Sequence, residues 1–458
     1  MIMYDVIVIG GGPGGYAAAI RASQLGGRVA MVEAAEIGGT CVNRGCLPSK
    51  VWARAAFFKQ SLAAMAEFGV KAAFEGMDLA RIVARKEGVS GDVRMGMAGL
   101  LSQNKIEVIA GRAQLENPQT VAVDGKPLET RQVILATGAA TVAPEIPGLE
   151  AALLTADQVY QMTALPGAVL VCGGGHIEVE TAAVLNALGT KVTLVFGTPR
   201  ILPEEDGDVG QRLGQALRDQ GVELVPRTTL KSVKRAATGF EALLSGSKEQ
   251  AVAVDRVLTA GRRPNSAGLG LESIGVRLGG SGEIEVDRYQ RTNVPNIYAV
   301  GDVTGGWMLS FAATVMGVVA AENAMGVSSV FRSRLVPRGI FTLPEAAAVG
   351  LSEEAAEAEG YEVETGDFPM SINGLALSYG ELDGAAKVVV DGRYGEVLGV
   401  HLVGGRATEL IWGAAQAMQL ETTAEDLARS LAVHPTFSEA LVMAAQNALG
   451  WALYLPRR

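Results

Sequence analysis

The sequence predicts an α/β protein with two parallel strand–helix–strand units, a short central region and a C-terminal α+β segment. Three observations carry this. A β-branched run, a glycine cluster and a helical stretch follow one another at the N-terminus, and the same succession recurs in the middle of the chain. From about residue 336 the pattern changes to β-rich segments and apolar helices. At 458 residues, with 48% hydrophobic and 19% charged, the chain has the length and apolar content for about three domains. A net charge of −10 argues against nonspecific nucleic-acid binding. No apolar run is long and charge-free enough to span a bilayer, so no membrane association is expected. The start, Met1-Ile2-Met3-Tyr4-Asp5, lacks a basic region and runs into a strand, which reads as a cytoplasmic protein without a signal peptide.

Val6–Ile9 is the first strand, of the kind buried in a parallel sheet. Gly10-Gly11-Gly12-Pro13-Gly14-Gly15 follows, then helix Tyr16–Leu25 and strand Arg28–Val32, which ends in Glu33. Gly10, Gly12 and Gly15 have the spacing that lets backbone approach a pyrophosphate, and Glu33 stands where an acid binds ribose hydroxyls. This is a complete Rossmann-like unit. The second runs from strand Ala168–Cys172 through Gly173-Gly174-Gly175 to helix Val179–Leu188 and strand Lys191–Phe196. A third region, about 262 to 335, includes Ile297-Tyr298-Ala299-Val300-Gly301-Asp302.

Between the two units lies Gly38-Gly39-Thr40-Cys41-Val42-Asn43-Arg44-Gly45-Cys46-Leu47-Pro48-Ser49-Lys50. On a regular helix, residues five apart have Cα atoms roughly 8 to 9 Å apart, too far for a disulfide. Cys41 and Cys46 can therefore bond only on a distorted turn entering a helix; two separate buried thiols fit the spacing as well. Three cysteines in a chain of this length make no structural framework. Cys172, ending an apolar strand, reads as a buried structural thiol, and His401, inside Val397–Val403, as structural. No metal site is expected.

Taken together, these motifs, with Ala136-Thr137-Gly138, Gly261-Arg262-Arg263-Pro264-Asn265 and His434-Pro435-Thr436-Phe437-Ser438-Glu439, resemble the class I pyridine nucleotide–disulfide oxidoreductase family over the whole chain, and within it the dihydrolipoamide dehydrogenases. The resemblance implies an FAD-binding domain with a redox disulfide at 1–149 and an NAD(P)-binding domain at 150–270. A central domain at 271–335 would complete the FAD site, and 336–458 would be the dimerisation domain of a homodimer. Gly10, Gly12, Gly15 and Glu33 would hold the ADP half of FAD. Thr40, Lys50, Thr137, Gly138, Asp302, Met308 and Leu309 would surround its flavin. Gly173 and Gly175 of the second glycine cluster would hold the nicotinamide nucleotide, Gly261 would be a further cofactor-binding position, and Glu180 would pair with Lys50 against the flavin. Cys41 is implied as the interchange thiol and Cys46 as the thiol beside the flavin. A free thiol is mostly protonated at neutral pH, so a base is needed. His434, oriented by Glu439, is implied in that role, acting across the dimer. A histidine before proline can also be a capped surface residue.

The sequence departs from the family in the second unit. Glu178 replaces the third glycine, Phe196 stands where NAD-dependent members carry an acid, and His176 replaces a tyrosine. NAD is expected over NADP, bound weakly. The expected activity is oxidation of dihydrolipoamide on a separate lipoyl-bearing carrier protein. Alternatives are a reductase of a small disulfide, or a flavoprotein of a lipoyl-dependent assembly with a degenerate nicotinamide site.

Overall fold

The computed structural model describes residues 3–456; Met1 and Ile2, read above as part of the N-terminal start, lie outside the described residues, as do Arg457 and Arg458. Two compact units are formed. The first comprises Met1–Val51, Ala80–Val142 and Gly261–Ser333, and the second Trp52–Leu79, Ala143–Ala260 and Arg334–Arg458.

The first unit is built on a seven-stranded sheet. Its parallel core places Glu107–Ala110, Val29–Glu33, Met3–Ile9 and Lys126–Leu135 side by side, and Ile297–Ala299 adds a parallel strand to the last. Side-chain alternation explains why Val6–Ile9 is apolar throughout. Val6 and Val8 pack with Ala18, Ala22, Met316 and Ala320 on one face, whereas Ile7 and Ile9 pack with Val121, Leu135 and Leu271 on the other. Helices Pro13–Gln24 and Ser310–Ala324 cross in close contact: a Cβ at Gly317 would lie 2.2 Å from the Gly14 carbonyl oxygen.

The second unit holds a five-stranded, all-parallel sheet ordered Glu223–Pro226, Lys191–Phe196, Ala168–Cys172, Arg256–Thr259, Leu153–Thr155. An antiparallel sheet of Thr229–Arg235, Phe240–Ser245 and Gln250–Val254 packs with it through Leu230, Phe240 and Leu244. The C-terminal sheet is antiparallel, with Ala385–Asp391 and Val397–Gly404 buried along their whole length beneath helices Ala407–Gln419 and Glu439–Ala448. These features realise the expected α/β architecture. His401 is buried, its Nε2 lying 2.9 Å from the Leu351 carbonyl oxygen.

The two glycine-loop helices begin earlier than the sequence suggests, at Pro13 rather than Tyr16 and at His176 rather than Val179. Their first turns are made of loop residues, and Pro13 suits that position because a first-turn N–H has no helical partner. The small antiparallel sheet at 229–254 was not anticipated. Among the described residues, no helix is long and apolar enough to cross a membrane.

Candidate active site

The first glycine loop is shaped by close backbone approach. Gly10 has φ +108°, and a Cβ there would lie 2.3 Å from the Ala136 carbonyl oxygen; one at Gly15 would lie 1.8 Å from the Gly10 carbonyl oxygen. Gly12 faces open space apart from Gly39 Cα at 3.9 Å. Helix Pro13–Gln24 starts here and aims its N-terminus at the loop, where an anion is favoured. Glu33 closes the far side, accepting the Gly11 N–H at 2.6 Å and the Ala35 N–H at 2.7 Å.

Around the cysteines the helix is interrupted. Gly39–Asn43 forms a short helix, Arg44 leaves helical space at φ −137°, and a new helix begins at Cys46. The Thr40 carbonyl accepts both the Arg44 N–H at 2.9 Å and the Gly45 N–H at 2.7 Å, tightening the turn. Cys41 and Cys46 are thereby brought together as thiols that share a hydrogen bond. That bond is the main cause holding the Cys41 thiol down to about 7. Burial opposes it, the Ser310 hydroxyl and the Lys50 charge reinforce it, and Asp302 pushes the other way. Helix Leu79–Gln103 steadies the segment: Ser90 Oγ donates to the Val42 carbonyl at 2.8 Å and Arg94 to Asn43 Oδ1 at 2.7 Å.

The remaining residues of this unit form one neighbourhood. Thr137 Oγ1 donates to the Asn265 carbonyl at 2.8 Å, Asn265 Nδ2 donates to the Thr137 carbonyl at 3.0 Å, and the Asn265 N–H reaches the Gly138 carbonyl at 2.9 Å. Gly261 accepts the Val142 N–H at 2.8 Å, so its place is in the pairing of these two segments. Asp302 is mostly buried, which pushes its carboxyl up, while Arg262 Nη2 at 3.0 Å pulls it back. Arg262 Nε is buried without a partner. Met308 sits at φ +50°, a left-handed conformation uncommon outside glycine, and Leu309 caps helix Ser310–Ala324.

The second unit holds the other candidates. Gly175 is the N-cap of helix His176–Leu188, and Gly173 has φ +125°. The Glu178 carboxylate folds back over both: its oxygens lie 2.7 Å and 3.0 Å from where a Cβ would sit on Gly173 and Gly175. Phe196 is buried, beside Gly174 and Ile201. His176 Nε2 lies 3.1 Å from Glu205 Oε1, off the line of a straight hydrogen bond. Burial works against Glu205 ionising, but His176 and the forked Arg338 guanidinium, at 2.9 to 3.1 Å, hold it down to about 2. Glu180 accepts the Phe341 N–H at 3.0 Å. Cys172 is partly buried, and desolvation pushes its thiol up to about 12. At the C-terminal end, His434 Nδ1 lies 2.8 Å from Glu439 Oε1, and the Thr436 N–H donates to Glu439 Oε2 at 2.8 Å. Both carboxylate oxygens are engaged, and the imidazole is exposed.

Residues 4–317 match the pyridine nucleotide-disulphide oxidoreductase family, and residues 336–445 match that family's dimerisation domain. The chain belongs to this family. It is 39% identical to the dihydrolipoyl dehydrogenase of Thermus scotoductus over 463 residues, covering 100% of both chains. Among solved structures it is similar to LpdA from Mycobacterium tuberculosis, with a TM-score of 0.87, 31% identity and coverage of 96% of this chain and 99% of that one. It is also similar to the HOCl-induced flavoprotein disulfide reductase RclA from Escherichia coli, with a TM-score of 0.85, 27% identity and coverage of 97% and 99%.

The residues present fit an FAD in the first unit. Gly10 and Gly15 allow the close backbone approach that forms the loop, Gly12 leaves open space at the helix N-terminus where a phosphate would sit, and Arg262 Nε is a buried donor in want of an acceptor. Sequence reasoning missed three contributors: Ser310, which hydrogen-bonds Cys41; Tyr16, whose hydroxyl is within electrostatic reach of both cysteines; and Arg262, which pairs with Asp302. Arg262 stands inside a motif and was findable. Ser310 and Tyr16 carry no signal beyond their places in helix first turns.

Proposed function

We propose that this family member is an FAD-dependent dihydrolipoamide dehydrogenase that oxidises the dihydrolipoyl group of a separate carrier protein and passes the electrons to NAD. The observation that carries the proposal is the Cys41–Cys46 dithiol on its interrupted turn, one thiol held at about 7, beside the glycine cradle of the same unit.

In the oxidised protein the two cysteines are joined. A substrate thiolate attacks Cys41 Sγ, forming a mixed disulfide and releasing the Cys46 thiolate. The second substrate thiol then attacks its own neighbouring sulfur, closing the lipoyl ring and releasing Cys41. Two electrons have moved from substrate to protein, leaving Cys41 and Cys46 as a dithiol. His434 of the partner subunit takes the substrate proton, and Glu439 holds that imidazole in one tautomer through Nδ1. FAD would supply the two-electron acceptor next to Cys46, held by Gly10, Gly12, Gly15 and Glu33 at its ADP half and by Thr40, Lys50, Thr137, Gly138, Asp302, Met308 and Leu309 around the flavin. Gly173 and Gly175 are assigned to the nicotinamide nucleotide, Glu180 to pairing with Lys50, and Gly261 to the cofactor-binding residues.

The same reading divides the chain into FAD-binding (1–149), NAD(P)-binding (150–270), central (271–335) and interface (336–458) domains of a cytoplasmic homodimer. A second reading, reduction of a small disulfide, is favoured by the likeness to RclA, whose name is that of a disulfide reductase. Steady-state turnover of dihydrolipoamide with NAD, NADP and an artificial acceptor, side by side, separates the two. The proposal expects dithiol oxidation with NAD ahead of NADP. A protein inert toward dihydrolipoamide with every acceptor, yet active on a small disulfide with reduced nucleotide, overturns it.

A further inference from the structure

The two glycine loops offer an internal comparison. Gly15 and Glu178 occupy equivalent places, three residues after Gly12 and Gly175 respectively. In the first loop even a methyl group at Gly15 would strike the Gly10 carbonyl oxygen at 1.8 Å, whereas the second loop accommodates a whole glutamate. Glu178 is the third residue of helix His176–Leu188, and its carboxylate turns back to accept its own backbone N–H and to cover Gly173 and Gly175. A helix N-terminus with unpaired N–H groups favours one anion. Here the chain provides that anion itself.

We propose that Glu178 is a built-in competitor for the dinucleotide pyrophosphate, so that the second loop admits a nucleotide only when this carboxylate turns aside or is neutralised. This rests on the reading of the second unit as the nicotinamide-nucleotide site. Two further observations support it. Burial already pushes the Glu178 carboxyl above its ordinary value, so the charged form is held at a cost that a second anion would increase. The charged surroundings also give little compensation. His176 lowers the Glu178 carboxyl when protonated, but it is shared with Glu205, and Glu180 and Glu204 act on it too. On the neighbouring strand the titratable group is the Cys172 thiol, and Phe196 on the next strand is apolar. Protonation of Glu178 should therefore favour the nucleotide, and affinity should rise as pH falls toward that carboxyl's range.

The test uses the FAD-loaded protein and calorimetric titration with ADP-ribose, which carries the pyrophosphate, and with adenosine, which does not. Wild type is compared with Glu178→Gln, which keeps the shape, and Glu178→Gly, which restores the family residue; an unchanged thermal unfolding profile shows that each variant is folded. Both should bind ADP-ribose about tenfold or more tightly than wild type at neutral pH, as loss of one adjacent like charge implies. Adenosine binding should be unchanged. Wild-type affinity for ADP-ribose should rise as pH falls, with a flatter profile for Glu178→Gln. Equal affinity of wild type and both variants, an equal gain for adenosine, or an undiminished pH slope in Glu178→Gln, which would assign the proton to His176, overturns the proposal. ADP-ribose binding by none of the three proteins overturns it together with the nucleotide-site reading, whereas dithiol turnover with an artificial acceptor reports on the thiol chemistry separately.

Discussion

A cysteine thiol ordinarily ionises at about 8.5, and Cys41 departs from that because of what surrounds it. The Cys46 thiol, then the Ser310 hydroxyl and the Lys50 charge, favour the thiolate against the cost of burial. In the reduced protein, alkylation by iodoacetamide should accordingly follow a titration centred near 7, rising with pH as the thiolate forms. Cys46→Ser should move the midpoint upward, because a hydroxyl is a weaker partner for sulfur. A wild-type midpoint at the ordinary thiol value would show that the turn does not activate Cys41. His434 should act on turnover and not on binding: His434→Ala is expected to lower kcat by about 10²- to 10⁴-fold with little change in KM. A raised KM with near-normal kcat would assign His434 to substrate binding. At this scale the pairings Cys41 with Cys46 and His434 with Glu439 were legible because the members of each pair are five residues apart. Ser310 was not, because it reaches Cys41 from a helix that begins far along the chain.

Among the elements, the crossing of helices Pro13–Gln24 and Ser310–Ala324 brings the glycine loop and the Ser310 end of the second helix into one unit. Gly317→Ala would drive a methyl group to 2.2 Å from the Gly14 carbonyl oxygen, so the helices must part. The expected cost is about 1–3 kcal/mol, with weaker retention of FAD. Gly96→Ala, in an exposed helical position with open space around it, should instead stabilise by about 0.5–1 kcal/mol. Denaturant unfolding of both variants checks the opposite signs; a neutral Gly317→Ala would mean the crossing tolerates a wider spacing. Strand positions were readable from apolar runs such as Val6–Ile9. The helix starts at Pro13 and His176 were not, because glycine-rich first turns look like loop until the N–H groups are seen to point at one place.

Across the second unit, buried charge joins the segment after the second glycine loop to the C-terminal sheet. Arg338 forks onto Glu205, and Lys387 reaches Asp206, Asp208 and Glu353 at 3.1, 2.8 and 2.6 Å. Arg338→Ala would strand the Glu205 carboxylate in the interior, at an expected cost of about 3–5 kcal/mol; the double change Arg338→Met with Glu205→Leu should recover much of it. Thermal unfolding of the two variants decides this, and equal losses would show that packing, not the stranded charge, carries the effect. None of these pairings was visible in the sequence, since a charged residue there gives no sign of being buried. The two strand–loop–helix–strand successions were visible, because glycine clusters and apolar runs mark them. The proposed chemistry turns on Cys41 as the point at which electrons leave the dithiol substrate. The direct measurement is anaerobic mixing of the FAD-loaded protein with dihydrolipoamide, without nucleotide, followed by the absorbance of the bound FAD. Wild type should lose that absorbance rapidly, and Cys41→Ser, with FAD retained, should keep it; a Cys41→Ser protein bleached at the wild-type rate would contradict the account.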